Sequence, residues 1–155
     1  MNKLISEIRQ IIDEFTIRIT GIPDFEFSAK TTPGKWSRKE VLGHLTDSAQ
    51  NNLRRFICGQ YESSPRIVYD EDFWVNANNY GRAEKQTVIE GWRQANESIC
   101  RVLSSMAQEN YDKTCNTGKD AVQLRTLEWL AADYVKHMKH HLNQILPGSF
   151  DIVYP

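Results

Sequence analysis

Cysteine is scarce in this sequence: Cys58, Cys100 and Cys115 are three in 155 residues. An odd number at wide spacing excludes a disulfide framework and a CxxC metal site, and fits a reducing cytoplasm. Each thiol reads as a small buried hydrophobe. Charge of one sign is lacking too. The formal net charge of -1 gives no reason to expect nucleic acid or an anionic membrane as a partner. No apolar run approaches the ~18 residues of a membrane span. Met1 to Gln10 mixes charges with Leu4, Ile5 and Ile8, and so lacks the apolar segment and small-residue cleavage site of a secretion signal. Repeats, low-complexity tracts and linkers are absent, so residues 1–155 read as one domain. What is present is 40% hydrophobic and 25% charged, the balance of a soluble globular protein that can bury a sizeable core.

The apolar residues recur at helical spacing in four segments. Residues 2–19 carry Leu4, Ile5, Ile8, Ile11, Ile12, Phe15 and Ile19 on one face, and Gly21-Ile22-Pro23 ends the segment. A loop over 20–36 follows. Ser37 and Glu40 then form a capping box, with Trp36 and Val41 placed for a hydrophobic staple. This second helix is expected to end near Cys58, before Gly59. Val41, Leu42, Leu45, Ala49, Leu53 and Phe56 make its core stripe, and His44, Ser48, Asn51 and Arg55 form a polar lane along one edge, open to solvent or ligand. Residues 60–84 read as a long connection holding Tyr61, Tyr69, Phe73, Trp74 and Tyr80, aromatics that either roof a pocket or cap the end of a bundle. A third helix covers about 84–108. A polar turn region follows, with an extended piece at 121–125. Thr126 then caps a fourth helix that runs to about Leu146, before Pro147-Gly148. Four amphipathic helices predict an all-α four-helix bundle. The length of the 60–84 connection admits up-down-down-up as readily as up-and-down.

Three of the four histidines lie in the last helix. His137 and His141, four residues apart, stack on one face, His141 inside the apolar stripe and His137 at its edge. His140 points away from the centre of that stripe. Two imidazoles so spaced can grip one metal ion, and His44 would complete a three-histidine site if the second and fourth helices are neighbours. Asp47 and Asp133, each one turn from a histidine, could orient a ligating imidazole. Asp47 or His140 could also be a fourth ligand. The alternative is three independent, partly buried helix residues.

Trp36-Ser37, Glu40-Val41-Leu42-Gly43-His44-Leu45, Asp47-Ser48, Asn52 and Arg55-Phe56 resemble the second helix of the DinB-like superfamily, the metal-binding four-helix bundles that include the YfiT-like proteins. Asp133-Tyr134-Val135, His137, His140-His141-Leu142 and Gln144-Ile145 are similar to its last helix. Tyr69 to Val75 and Gly91-Trp92 with Ala95-Asn96 are similar to its middle region. The resemblance implies an up-down-down-up bundle and a divalent ion, zinc or nickel, held by His44, His137 and His141. It also makes a homodimer an expectation.

Three functions fit such a site. A transferase would activate a low-molecular-weight thiol on the metal, with Ser48, Arg55 and Trp74 as candidate substrate contacts. A hydrolase would activate water. A non-catalytic, stress-associated metal-binding protein would close all four positions. A small molecule is the expected partner in the first two.

Overall fold

The computed structural model describes residues 1–154. Four long helices dominate: α1 (Asn2–Thr20), α3 (Arg38–Tyr61), α5 (Lys85–Ser105) and α6 (Leu127–Ile145). Between them lie two short helices, α2 (Asp24–Ser28) and α4 (Glu71–Asn78), and an antiparallel ribbon of β1 (Thr114–Asn116) and β2 (Leu124–Thr126).

The expected caps are present. The Ser37 hydroxyl accepts from the Glu40 amide while Glu40 Oε2 accepts from the Ser37 amide at 2.7 Å. Thr126 caps α6 by accepting from the Trp129 amide. A side-chain cap of this kind stabilises a helix by about 1 kcal/mol.

Long-range contacts fix the direction of each helix. Lys85 reaches the carbonyls at the end of α1, at Thr20 and Ile22, whereas Cys100 lies against Ile5 at its start. α1 and α5 are therefore antiparallel. Lys39 bonds the Ala83 carbonyl just before α5, and Asn110, just after α5, bonds Gln60. α3 and α5 are therefore parallel. His44, early in α3, meets His137, late in α6, so these two are antiparallel. α1 and α6 run together, through Glu7 with Lys139 and Arg18 with Ser149. The bundle is up-down-down-up, as the resemblance implied. α3 packs against both α5 and α6, and because α3 and α5 are parallel, residues 62–84 must travel the length of the bundle to join them.

The core is the inward stripe of all four helices, including Ile8, Phe15, Leu42, Leu45, Phe56, Ile89, Trp92, Leu103, Tyr134 and Leu142, each essentially without exposure. Among the described residues no helix is long and apolar enough to cross a membrane.

Three expectations need correction. The 60–84 connection is not plain loop, because Asp70 accepts from the Phe73 amide and starts α4. The polar turn region contains β1, the partner of the extended piece, which itself begins at Leu124 rather than at 121. α3 continues through Gly59 to Tyr61. A Cβ on Gly59 would lie 2.7 Å from Leu127 Cδ2, so this glycine admits a neighbour rather than ending the helix.

Candidate metal centre

α3 and α6 bring His44, His137 and His141 together. One ligand atom from each lies within 4.8 Å of the other two. His44 Nε2 and His137 Nε2 are 3.2 Å apart. Two nitrogens bound to one tetrahedral ion at ~2.0–2.1 Å stand about 3.3 Å apart, so the pair already has the spacing of common ligands.

The rings are held in a state that can bind a metal. Burial lowers the pKa of His44 to about 3, with the His141 charge adding to the effect. Burial lowers His137 and His141 as well. All three are therefore neutral near pH 7, with lone pairs available. The Ser48 hydroxyl lies 3.4 Å from His137 Nδ1 and fixes that nitrogen away from the cluster. His141 Nδ1 is 3.2 Å from Gln144 Oε1, and the amide Nε2 of Gln144 is 3.1 Å from His140 Nε2. Donation along this chain leaves His141 Nε2 free and occupies His140 Nε2, which sets His140 aside as a ligand.

Neither suggested carboxylate orients a ligand. Asp47 is fully buried, and its Oδ1 accepts from Tyr80 Oη at 2.6 Å and Asn78 Nδ2 at 3.0 Å. Its Oδ2 and His44 Nδ1 are each buried without a partner. Burial raises the Asp47 pKa to about 6 against the lowering effect of Tyr80 and Asn78. Asp133 instead accepts from Tyr154 Oη at 3.2 Å. Asp47 thus holds the crossover down, while Ser48 and Gln144 do the orienting.

Most of the polar lane of α3 is buried, not open at an edge: His44 and Ser48 are each 3% exposed, His44 between Trp36 and the α6 histidines and Ser48 against His137. Arg55 is turned into this cover. Its Nε and Nη2 donate to the Ile67 carbonyl and its Nη1 to Asn52 Oδ1, so it clamps the crossover and does not face the cavity. Trp74 packs edge-on against Tyr69 at 5.7 Å. Tyr80 lies over Gly43, where a Cβ would come within 2.1 Å of its ring. Tyr61 and Phe73 point to solvent, so the loop aromatics divide between packing and exposure.

The cluster opens onto a cavity of about 220 Å³ lined by Trp36, Tyr69, Glu71, His140 and Tyr154 together with the three histidines. Trp36 stands against His44, ring centres 4.9 Å apart. Sequence reasoning assigned Trp36 to a staple and placed Glu71 and Tyr69 in a connection. Tyr154 was not singled out, since it carries no helical periodicity or motif.

The molecule is thus an up-down-down-up helical bundle with a three-histidine cluster beside a cavity. The DinB superfamily model matches residues 7–145, and the chain belongs to the DinB superfamily. A protein of Geobacillus thermodenitrificans strain NG80-2 is 27% identical over 147 residues, spanning 92% of this chain and 80% of its own. YfiT of Bacillus subtilis strain 168 is 23% identical over 145 residues, spanning 93% and 81%. Both are provisionally named metal-dependent hydrolases. The solved structure of B. subtilis YfiT, described as an unusual four-helix-bundle topology, superposes with a TM-score of 0.83 at 22% identity, covering 93% of this chain and 82% of that chain. A mycothiol-dependent maleylpyruvate isomerase shares the fold at a TM-score of 0.71 and 7% identity, with 91% of this chain and 59% of that chain covered.

Proposed function

We propose that this chain is a metal-dependent enzyme in which His44, His137 and His141 hold one divalent ion, zinc or nickel, and a small thiol is activated for transfer to an electrophile. The observation that carries the reading is the open side of the cluster. Three neutral imidazoles converge, neither Asp47 nor His140 joins them, and the remaining side faces a cavity. A structural site would close that side.

When bound, the ion supplies Lewis acidity that lowers the pKa of a thiol or water ligand toward neutrality or below. The protein's part is to fix the imidazoles through Ser48 and Gln144, and to wall the cavity with Trp36, Tyr69 and Tyr154. A thiol needs no further base. This suits a cavity whose one carboxylate, Glu71, is ion-paired with Lys119 at 3.1 Å. The fold shared with a mycothiol-dependent enzyme supports the same reading.

Glu71 also gives substance to a second reading, hydrolysis. It is the one acid lining the histidine cavity and could take a proton from water if Lys119 released it. The names of the relatives favour this alternative.

Elemental analysis of untagged wild type and His44→Ala tests the common premise. About one zinc or nickel per chain, lost in the variant, supports it. A wild type that neither contains nor takes up either metal overturns it. With loaded protein, thiol-dependent consumption of a bromobimane electrophile supports transfer. Thiol-independent cleavage of a nitrophenyl ester, reduced in Glu71→Gln, would instead establish the hydrolase.

A further inference from the structure

The segment after α6 lies beyond the stretch matched by the family model, yet it reaches the cluster. Gly148, at φ +75°, turns the chain back. Asn143 then clamps Phe150 by two hydrogen bonds of 2.9 Å, one to its carbonyl and one from its amide. The Phe150 ring stacks on Phe15 at 5.1 Å with the planes 15° apart. Arg18 donates to the Ser149 hydroxyl at 3.0 Å.

From that anchor the chain runs back along α6 to Asp133. Ten residues of helix span ~15 Å, and four extended residues from Phe150 to Tyr154 reach ~13 Å, so the tail is nearly fully drawn out and the Tyr154 side chain closes the remaining gap to Asp133. Tyr154 sets its ring 5.7 Å from His137 and 5.6 Å from His140. Its hydroxyl donates to Asp133, and its side chain lines the histidine cavity.

We propose that Tyr154 is a positioning and access-controlling residue of this centre: the C-terminal tail, tied to Asp133, forms one wall over His137 and His140 and limits what reaches them. The proposal rests on the metal-site reading for its functional meaning, but the wall itself can be tested without metal. Trp36 covers His44 on the other side, so the two aromatic walls guard different imidazoles. Removing one should expose only its own.

The test is carbethoxylation of metal-free protein by diethyl pyrocarbonate near pH 7, read at each histidine by mass spectrometry. Tyr154→Ala should speed modification of His137 and His140 by about tenfold and leave His44 unchanged, the effect expected when a local closure of this size is lost. Tyr154→Phe, which keeps the ring and loses the tie to Asp133, should fall between. Asp133→Asn, which keeps an acceptor, should behave as wild type. A general loosening of the bundle would raise His44 as well, so equal rises at His44, His137 and His140 would overturn the proposal. So would unchanged rates at His137 in Tyr154→Ala.

A second readout uses zinc-loaded protein and capture by the bulky chelator 4-(2-pyridylazo)resorcinol. Capture should be about tenfold faster in Tyr154→Ala and near wild type in Asp133→Asn. Equal capture rates in wild type and Tyr154→Ala would overturn the proposal. A wild type that holds no zinc but shows the carbethoxylation pattern would remove the metal-site reading and leave the wall standing.

Discussion

α3 and α5 lie side by side and parallel, yet their buried faces differ in kind. α5 buries Val88, Ile89, Trp92, Ile99, Cys100 and Leu103, with Asn96 as the polar exception. That exception is satisfied, since Asn96 donates to the Trp92 carbonyl and accepts from Tyr134 Oη. α3 buries Lys39, Glu40, His44, Thr46, Asp47, Ser48, Asn51 and Asn52 among its apolar residues. A buried polar group without a partner costs about 1–3 kcal/mol. Much of the polar load on α3 is met within the helix, where Thr46, Asn51 and Asn52 donate to the carbonyls four residues back. The exceptions on α3 are His44 Nδ1, at the histidine cluster, and Asp47 Oδ2, beneath the crossover; on α5 the Trp92 indole Nε1 is likewise buried without a partner. The two helices therefore differ in the number and kind of polar side chains they bury: α5 is a packing helix, and α3 carries the polar groups from which the cluster takes His44.

Trp92→Ala should produce the largest change in stability. It removes a fully buried indole from α5 and should lower unfolding free energy by about 3–5 kcal/mol, while the metal content of the protein that remains folded stays at wild-type level. A urea titration beside elemental analysis checks both parts, and loss of metal from the folded fraction would break the division between the helices.

Asp47→Ala should cost roughly 1–3 kcal/mol, because Tyr80 and Asn78 each lose a buried acceptor. Its mark should be local: hydrogen exchange should rise first in α4 and the Tyr80 turn. Uniform loosening would mean that Asp47 serves the core instead of the crossover.

Ser48→Ala should leave thermal stability near wild type and weaken zinc affinity by about 10–100-fold, the usual consequence of losing a group that orients a ligating histidine. Competition with a chelator measures it, and an unchanged affinity would remove Ser48 from the site.

The smallest effect concerns pH. In metal-free protein the three clustered histidines have folded pKa values below the ordinary 6.5, with His44 at about 3. The unfolded chain binds more protons in that window. Their contribution is therefore full above pH 6.5 and is lost as pH falls toward 3. Asp47 works in the opposite direction. Its folded pKa, raised from 3.8 to about 6, makes the folded state bind more protons between those values, so its cost fades as pH falls through 6. Asp47→Asn removes that offset, and its urea midpoint should fall more steeply than that of wild type between pH 6 and 4. Parallel pH profiles would show that the carboxyl does not titrate in this way.

Features carried by local bonding were legible in the sequence. The capping box at Ser37 and Glu40 and the cap at Thr126 depend only on residues three apart. The cap of α4 at Asp70 is equally local, but its helix is only eight residues long and ends at Asn79 in the left-handed region, so no periodicity advertised it. β1 and β2 are three residues each, too short for alternation to stand out. The burial of Ser48 did not follow from the α3 wheel, because the cover comes from another part of the chain.

The sequence by itself determined the four helices, their inward stripes and the shared face of His137 and His141, because helical periodicity and i,i+4 spacing are properties of a single segment. Only the tertiary structure decided that His44, 93 residues away, meets that pair. It also decided that Asp47 turns to Tyr80 and Asn78, that Ser48 meets His137, and that Tyr154 lines the cavity. Most of these contacts join distant parts of the chain. They form only when helix packing brings those parts together, and packing depends on all the apolar faces at once.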